Sequence, residues 1–201
     1  MIPTLCPAYL PNVRYFAWML AQDKVFFVNN THFQKQTYRN RTEICGSNGI
    51  LKLTLPTVHS KEAHQKENEV RISDTIPWQK QHWRSICTAY RSSPYFEFYE
   101  QDLEPFYNNP SQLLFDFNLK ILLQLLDLIE CPISFEIIAF DKKEHERLDF
   151  LLDAKSKTIL PQAHYTQVFE QKNGFIPNLS ILDVLFNLGP NTSDYLLSAN
   201  Y

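Results

Sequence analysis

Hydrophobic positions recur along the chain in short blocks whose period changes several times. Residues 4–10, TLCPAYL, form an apolar run between Pro3 and Pro11 and read as a strand. In NVRYFAWMLAQ, residues 12–22, Val13, Phe16, Ala17 and Leu20 fall at helical spacing, and the apolar run KVFFVNN, residues 24–30, follows at once. Strand, helix and strand in that order predict an α/β unit with a parallel pair. Residues 35–45 and 50–56 flank GSNG, where Asn48 and Gly49 tolerate positive φ and predict a hairpin turn.

Further along, QKQHWRSICTAYR (residues 79–91) places Trp83, Ile86, Cys87 and Tyr90 on one helical face and leaves His82 off it. SSPYFEFYEQDLEPFYNN (92–109) predicts an aromatic-rich helix with a capping serine, and LLFDFNLKILLQLLDLI (113–129) a helix buried on most faces. CPISFEIIAF (131–140) predicts a strand, and HYTQVF (164–169) has the polar alternation of a strand end. SILDVLFNLG (180–189) predicts a helix capped by Asn178 or Ser180 and ended by Gly189. Residues 59–71 are charged and aperiodic, so a solvated loop is expected there, with no role for His59 or His64. The pattern predicts an α/β fold: a single domain over residues 1–201, with a short, mostly parallel sheet flanked by helices and an inserted β-hairpin.

Composition narrows the function. Of 201 residues 44% are apolar and 20% charged, ordinary for a globular chain large enough to bury a sizeable core. With 19 basic and 22 acidic residues the net charge is -3, so no overall field draws the chain to nucleic acid or anionic lipid. Any anion site must be local. Cys6, Cys45, Cys87 and Cys131 have neither metal-ligand nor framework spacing, which predicts free thiols. MIPTLCPAYLPN lacks the basic and apolar regions of a signal peptide, so a cytoplasmic protein is expected. Asp116, Lys120 and Asp127 interrupt the longest apolar segment, so no membrane span is expected.

Four glycines, Gly46, Gly49, Gly174 and Gly189, cannot supply a GxGxxG turn or a Walker-type phosphate loop. No GxSxG elbow or HExxH helix occurs, and neither a metal nor a particular cofactor is indicated. What stands out is KQTYRNR. If Lys35, Thr37, Arg39 and Arg41 alternate with Gln36, Tyr38 and Asn40 along a strand, three cations share one face at spacings of about 7 Å. Such a face suits a diphosphate or an anionic sugar; as a solvent-facing edge strand its charges would instead block aggregation. His32, just before the arm, is the favoured proton carrier, and His82 is the second. Asp183 sits in the first turn of its helix, where the dipole stabilises a carboxylate in a structural or a catalytic role. Tyr165, Gln167 and Asn178 are further ligand-binding candidates.

The order PAYLPNVRYFAWML, KQTYRNR, HWRSICTAYRSSPYFEFYE and YTQVFEQKNGFIPNLSILDVLFNLGP resembles the WbqC-like protein family, in the branch common in Bacteroidetes-type bacteria. The resemblance covers nearly the whole chain. It implies a cytoplasmic role in O-antigen-type surface-polysaccharide biosynthesis, near sugar-nucleotide or glycan assembly. Three readings compete: a group transferase acting on a nucleotide- or lipid-linked sugar, a non-catalytic sugar-nucleotide binding or scaffolding subunit, and a nucleic-acid binder, against which the net charge argues. The expected partner is an anionic small molecule such as a nucleotide sugar or phosphorylated sugar.

Overall fold

Short parallel strands with apolar runs, held between helices, organise the chain. The computed structural model describes residues 1–58, 64–156 and 161–198. β1 (Ile2–Leu5), α1 (Val13–Leu20) and β2 (Val25–Val28) form the expected strand-helix-strand unit, with Thr4 of β1 opposite Phe26 of β2 in parallel register. Val25, Phe27 and Val28 are all buried, as a parallel strand covered on both faces requires. The hairpin follows as β3 (Arg41–Gly46) and β4 (Gly49–Thr54), an antiparallel pair that stands apart from the main sheet. Its tight loop is Ser47-Asn48, and of the Asn48-Gly49 pair only Gly49 takes a positive φ, 96°.

Helices α2 (Trp78–Tyr90), α3 (Phe96–Leu103), α4 (Pro105–Asn108) and α5 (Leu114–Leu128) come next. β5 (Phe135–Ile138) then adds beside β2, and β6 (His145–Arg147) beside β1, both parallel. The main sheet therefore has the order β5-β2-β1-β6. α6 (Glu170–Asn173), α7 (Ile181–Leu188) and α8 (Thr192–Leu197) complete the described chain. Six consecutive residues of α7, Ile181 to Phe186, are buried, so this helix lies inside the molecule. Gly189 ends it at φ 55°, where an added Cβ would sit 2.5 Å from the Tyr95 ring, closer than packing allows.

Several expectations are corrected. β1 spans Ile2–Leu5 and not residues 4–10, because prolines 7 and 11 cannot donate to a ladder and the Tyr9 N–H goes instead to the Tyr38 carbonyl. The segment around Tyr165 and Gln167 is not a strand; its alternation arises because both side chains turn inward to one carboxylate. No serine caps α3, since the Ser93 hydroxyl donates to the Tyr90 carbonyl at the end of α2, and the aromatic segment breaks into α3 and α4 at Pro105. On α2 the buried face includes Trp78 and His82, while Trp83 and Cys87 are only partly buried. Of the expected loop over residues 59–71, His59 lies outside the described residues, and Glu67 is buried rather than solvated.

Candidate functional site

Strand order in the main sheet reverses between β1 and β6, the position at which open parallel sheets form a crevice beyond their carboxyl ends. Cys6 follows β1, Thr31 lies just beyond β2, and β6 ends in Arg147 with Asp149 two residues on. Residues 65–68 cross this edge antiparallel to residues 29–33: Phe33 N donates to Gln65 O, Glu67 N to Thr31 O and Asn68 N to Asn29 O, each at 2.9 Å. That crossing brings Glu67 to the sheet. Arg39 arrives on a turn held by α5, whose Asn118 amide donates to the Arg39 carbonyl at 2.6 Å.

The side chains form one ionic cluster. Arg39 Nε lies 2.6 Å from Glu67 Oε1, close but outside hydrogen-bond alignment, and Arg39 Nη2 donates to Asp149 Oδ1 at 2.7 Å. Arg147 Nη2 donates to the same Asp149 oxygen at 3.0 Å. Exposure rises outward, from 1% at Arg39 and 4% at Glu67 to 21% at Arg147 and 37% at Asp149. The last two are the solvent-facing members of the cluster. Arg147 Nε is buried without a hydrogen-bond partner among the described residues, so its guanidinium retains donor capacity.

Burial pushes the Glu67 carboxyl up to about 7, outweighing the opposing pull of Arg39. Burial works against the charge on Arg39 too, but the neighbouring Glu67 and Asp149 carboxylates more than compensate, and the guanidinium stays charged. Cys6, whose thiol donates to the Val28 carbonyl at 3.3 Å, is pushed up to about 12 by burial and by Glu67, and remains a neutral thiol. The cluster thus holds two fixed cations and a carboxyl that exchanges its proton near neutrality. It can accept an anion at its mouth and move a proton behind it.

The structure redistributes the predicted site residues. β3 starts only at Arg41, so Lys35, Arg39 and Arg41 share no strand face: Lys35 and Gln36 lie exposed on a turn where Gln36 has φ 62°, and Arg39 is buried. Tyr38 and Asn40 are also buried, with Tyr38 OH bonded to Glu43 Oε2 and Asn40 Nδ2 to the Leu55 carbonyl. His32 is exposed beside Thr31, its ring 4.8 Å from that of His64 and its Nδ1 3.1 Å from the His64 carbonyl oxygen. His82 is part of the core, bonded through Nδ1 to Tyr9 OH at 2.9 Å, and burial lowers its pKa to about 4.

Tyr165, Gln167 and Asp183 do come together, but as a closed unit. Asp183 Oδ1 accepts from Tyr165 OH at 2.8 Å and Gln167 Nε2 at 3.0 Å, and Oδ2 from Tyr90 OH at 3.0 Å. Desolvation raises the pKa of this carboxyl, and the three donors oppose the rise. Asn178 closes the start of α1: its Oδ1 accepts from Arg14 N, while Asn12 Oδ1 takes Tyr15 N and the Leu179 carbonyl takes Val13 N. All three amides are used, so this helix terminus offers nothing to a ligand. Among the described residues, no group of three or more His, Cys, Asp and Glu side chains is placed to hold a metal, and no helix is long and apolar enough to cross a membrane.

The WbqC-like protein family matches over residues 6–159 and 157–195. The chain belongs to this family. It is also similar to the uncharacterized protein Rv1507c of Mycobacterium tuberculosis (strain ATCC 25618 / H37Rv), with 26% identity over 225 aligned positions that cover 94% of each chain. No solved structure shows a significant match. The match to the family includes all of the carboxyl-edge residues, Cys6, Thr31, Arg39, Glu67, Arg147 and Asp149. Of these, sequence reasoning singled out Arg39 alone as a functional candidate. Glu67 lies in a charged, aperiodic stretch whose neighbours carry no signal of its burial.

Proposed function

We propose that this WbqC-like chain is a cytoplasmic protein of surface-glycan assembly, a group transferase acting on a nucleotide- or lipid-linked sugar at the carboxyl edge of the sheet. The observation that carries the reading is Glu67, a buried carboxyl at about 7 beside two arginines, at the point where the strand order reverses. In the proposed step Glu67 takes the proton of an acceptor hydroxyl as its oxygen bonds to the transferred group. The bond to the departing phosphate breaks, and that phosphate keeps the electron pair. Arg147 stabilises its charge from the mouth of the site, and Arg39 holds Glu67 in place. The glycan setting follows from what the family resemblance implies.

A second reading is favoured by the near-complete burial of Arg39 and Glu67: a non-catalytic sugar-nucleotide binding or scaffolding subunit in which the ion cluster only locks three segments to the sheet. Thermal-shift measurements with nucleotide sugars, a polyprenyl phosphate and single-stranded RNA test the binding. The expected result is a rise in Tm with a sugar or prenyl phosphate ligand, reduced in Arg147→Ala, and none with RNA. Stabilisation by RNA alone contradicts both readings. Glycosyl turnover that Glu67→Gln abolishes while ligand binding persists separates the transferase from the binding subunit.

A further inference from the structure

Three adjoining cavities run along α2 and share no residue with the carboxyl-edge cluster. The first, about 420 Å³, lies between the hairpin tip, residues 46–51, and Arg84, Ser85 and Thr88. The second, about 520 Å³, shares Arg84 and Thr88 with it and extends past Arg91 to Ser92. The third, about 530 Å³, shares Ser92 and continues over Ser93, Thr166, Gln167, Gln171 and Asn187. Together they form one groove of mixed polar and apolar lining.

Its chemistry is graded along its length. Arg84 has no carboxylate within ion-pair distance among the described residues, and Arg91, two helical turns on, meets Glu100 at 3.4 Å and lies beside the Cys87 thiol, with 68% of its side chain exposed. The Arg84 fork is therefore free to grip a planar or tetrahedral anion, and Arg91, held only by a long surface pair, can turn to join it. Ser85 and Thr88 donate their hydroxyl protons to the Gln81 and Arg84 carbonyls at 2.8 Å, so only their lone pairs face the cavity. A matching ligand must supply hydroxyl donors as well as an anion. The far end is lined by neutral amides and hydroxyls together with Pro94 and Val168, and its one carboxylate, Glu170, is engaged by His164 Nε2 at 2.5 Å and by Gln167 N at 3.1 Å.

The groove is also pre-formed. Lys172 Nζ donates to Asn48 Oδ1 at 3.2 Å and Asn173 Nδ2 to the Gly46 carbonyl at 3.0 Å, tying the hairpin tip to α6. We propose that this groove is a second binding site, for a phosphorylated saccharide, with the phosphate on Arg84 and Arg91 and the sugar hydroxyls along the neutral lining toward Gln171. The site is separate from Glu67 and does not depend on proton transfer there.

Titration calorimetry of the whole chain with glucose, galactose and mannose 1-phosphates, inorganic phosphate and the free hexoses tests the proposal. At least one hexose 1-phosphate should bind about tenfold or more tightly than either inorganic phosphate or its free hexose. Arg84→Ala should weaken that binding about tenfold or more, while Lys80→Ala, an exposed cation one turn earlier on α2 and outside the groove, should leave it unchanged. Thr166→Val with Gln171→Ala should weaken the hexose phosphate but not inorganic phosphate. Circular dichroism confirms that each variant is folded. No binding by any of the three hexose phosphates overturns the proposal. So does equal affinity for inorganic phosphate, or an equal loss in Arg84→Ala and Lys80→Ala.

Discussion

Arg39 and Glu67 lie 28 positions apart in sequence, yet their side chains meet at 2.6 Å, with 1% and 4% of their surfaces exposed. An ion pair that deep binds the turn carrying Arg39 and the crossing segment carrying Glu67 to one sheet edge, and it costs desolvation on both sides.

Removing only one partner leaves that cost uncompensated. Arg39→Met should destabilise the fold by roughly 3 to 5 kcal/mol at pH 8, where Glu67 must either stay charged without its partner or take up a proton on folding, and by less at pH 5, where Glu67 is already protonated. Urea unfolding at the two pH values measures the difference. An Arg39→Met variant of unchanged stability at both would show the pair to be dispensable.

Asp183 should behave as a structural carboxylate. It takes three donors, so Asp183→Asn turns one acceptor into a donor facing Tyr90, Tyr165 or Gln167, at about 1 to 3 kcal/mol. Asp183→Ala leaves the Tyr90 and Tyr165 hydroxyls without this acceptor, while Gln167 Nε2 keeps the Ile176 carbonyl, and should cost more. If Asp183→Asn instead leaves the melting temperature unchanged, the network carries no stability.

Much of the fold was legible locally and much of the site was not. Period and punctuation in TLCPAYL, NVRYFAWMLAQ and KVFFVNN suffice for the parallel unit, and GSNG for the hairpin, because each is decided within a few residues. β6 escaped because His145–Arg147 is a charged tripeptide that becomes a strand only by pairing with β1. His82 falls one position off the stripe set by Trp83, Ile86, Cys87 and Tyr90, whereas the buried face of α2 is turned toward Trp78, His82 and Ala89, where Tyr9 supplies the histidine's partner. The arm at residues 35–41 misled most: charges at alternate positions look the same on an open strand as on a turn that sends Arg39 inward. The partners that decide between them, Glu67 and Asp149, are 28 and 110 residues away.

Two buried groups set opposite pH dependences. The folded His82 pKa of about 4 lies below the ordinary 6.5, so unfolded chains bind more protons as pH falls from 6.5 to 4, and stability is lost in that window. The folded Glu67 pKa of about 7 lies above the ordinary 4.5, so its contribution is present below 4.5 and lost as pH rises through 7. His82→Gln should remove the acid loss, and Glu67→Gln the decline from 4.5 to 7. Unfolding free energies from pH 4 to 8 check both, and profiles parallel to the parent's would contradict the assignments.

All four cysteines are free thiols in the structure, and their burial ranks their reactivity. Cys87 and Cys131, half-buried, should alkylate in the native protein; Cys6 and Cys45 should do so only after unfolding. Mass spectrometry before and after denaturation counts them. Early labelling of Cys6 would mean that the carboxyl edge is open to solvent.

Burial raises the Glu67 carboxyl toward neutrality at the carboxyl edge of the sheet, and the proposed proton transfer rests on it. Carbon-detected NMR titration of the glutamate carboxyl signals, with Glu67 assigned by the resonance missing from Glu67→Gln, reads this directly. The expected midpoint lies near 7 and moves higher still in Arg39→Met, where the attraction that favours the carboxylate is gone. A midpoint at or below the ordinary 4.5 would make Glu67 a permanently charged partner of Arg39 and remove the proton carrier from the site.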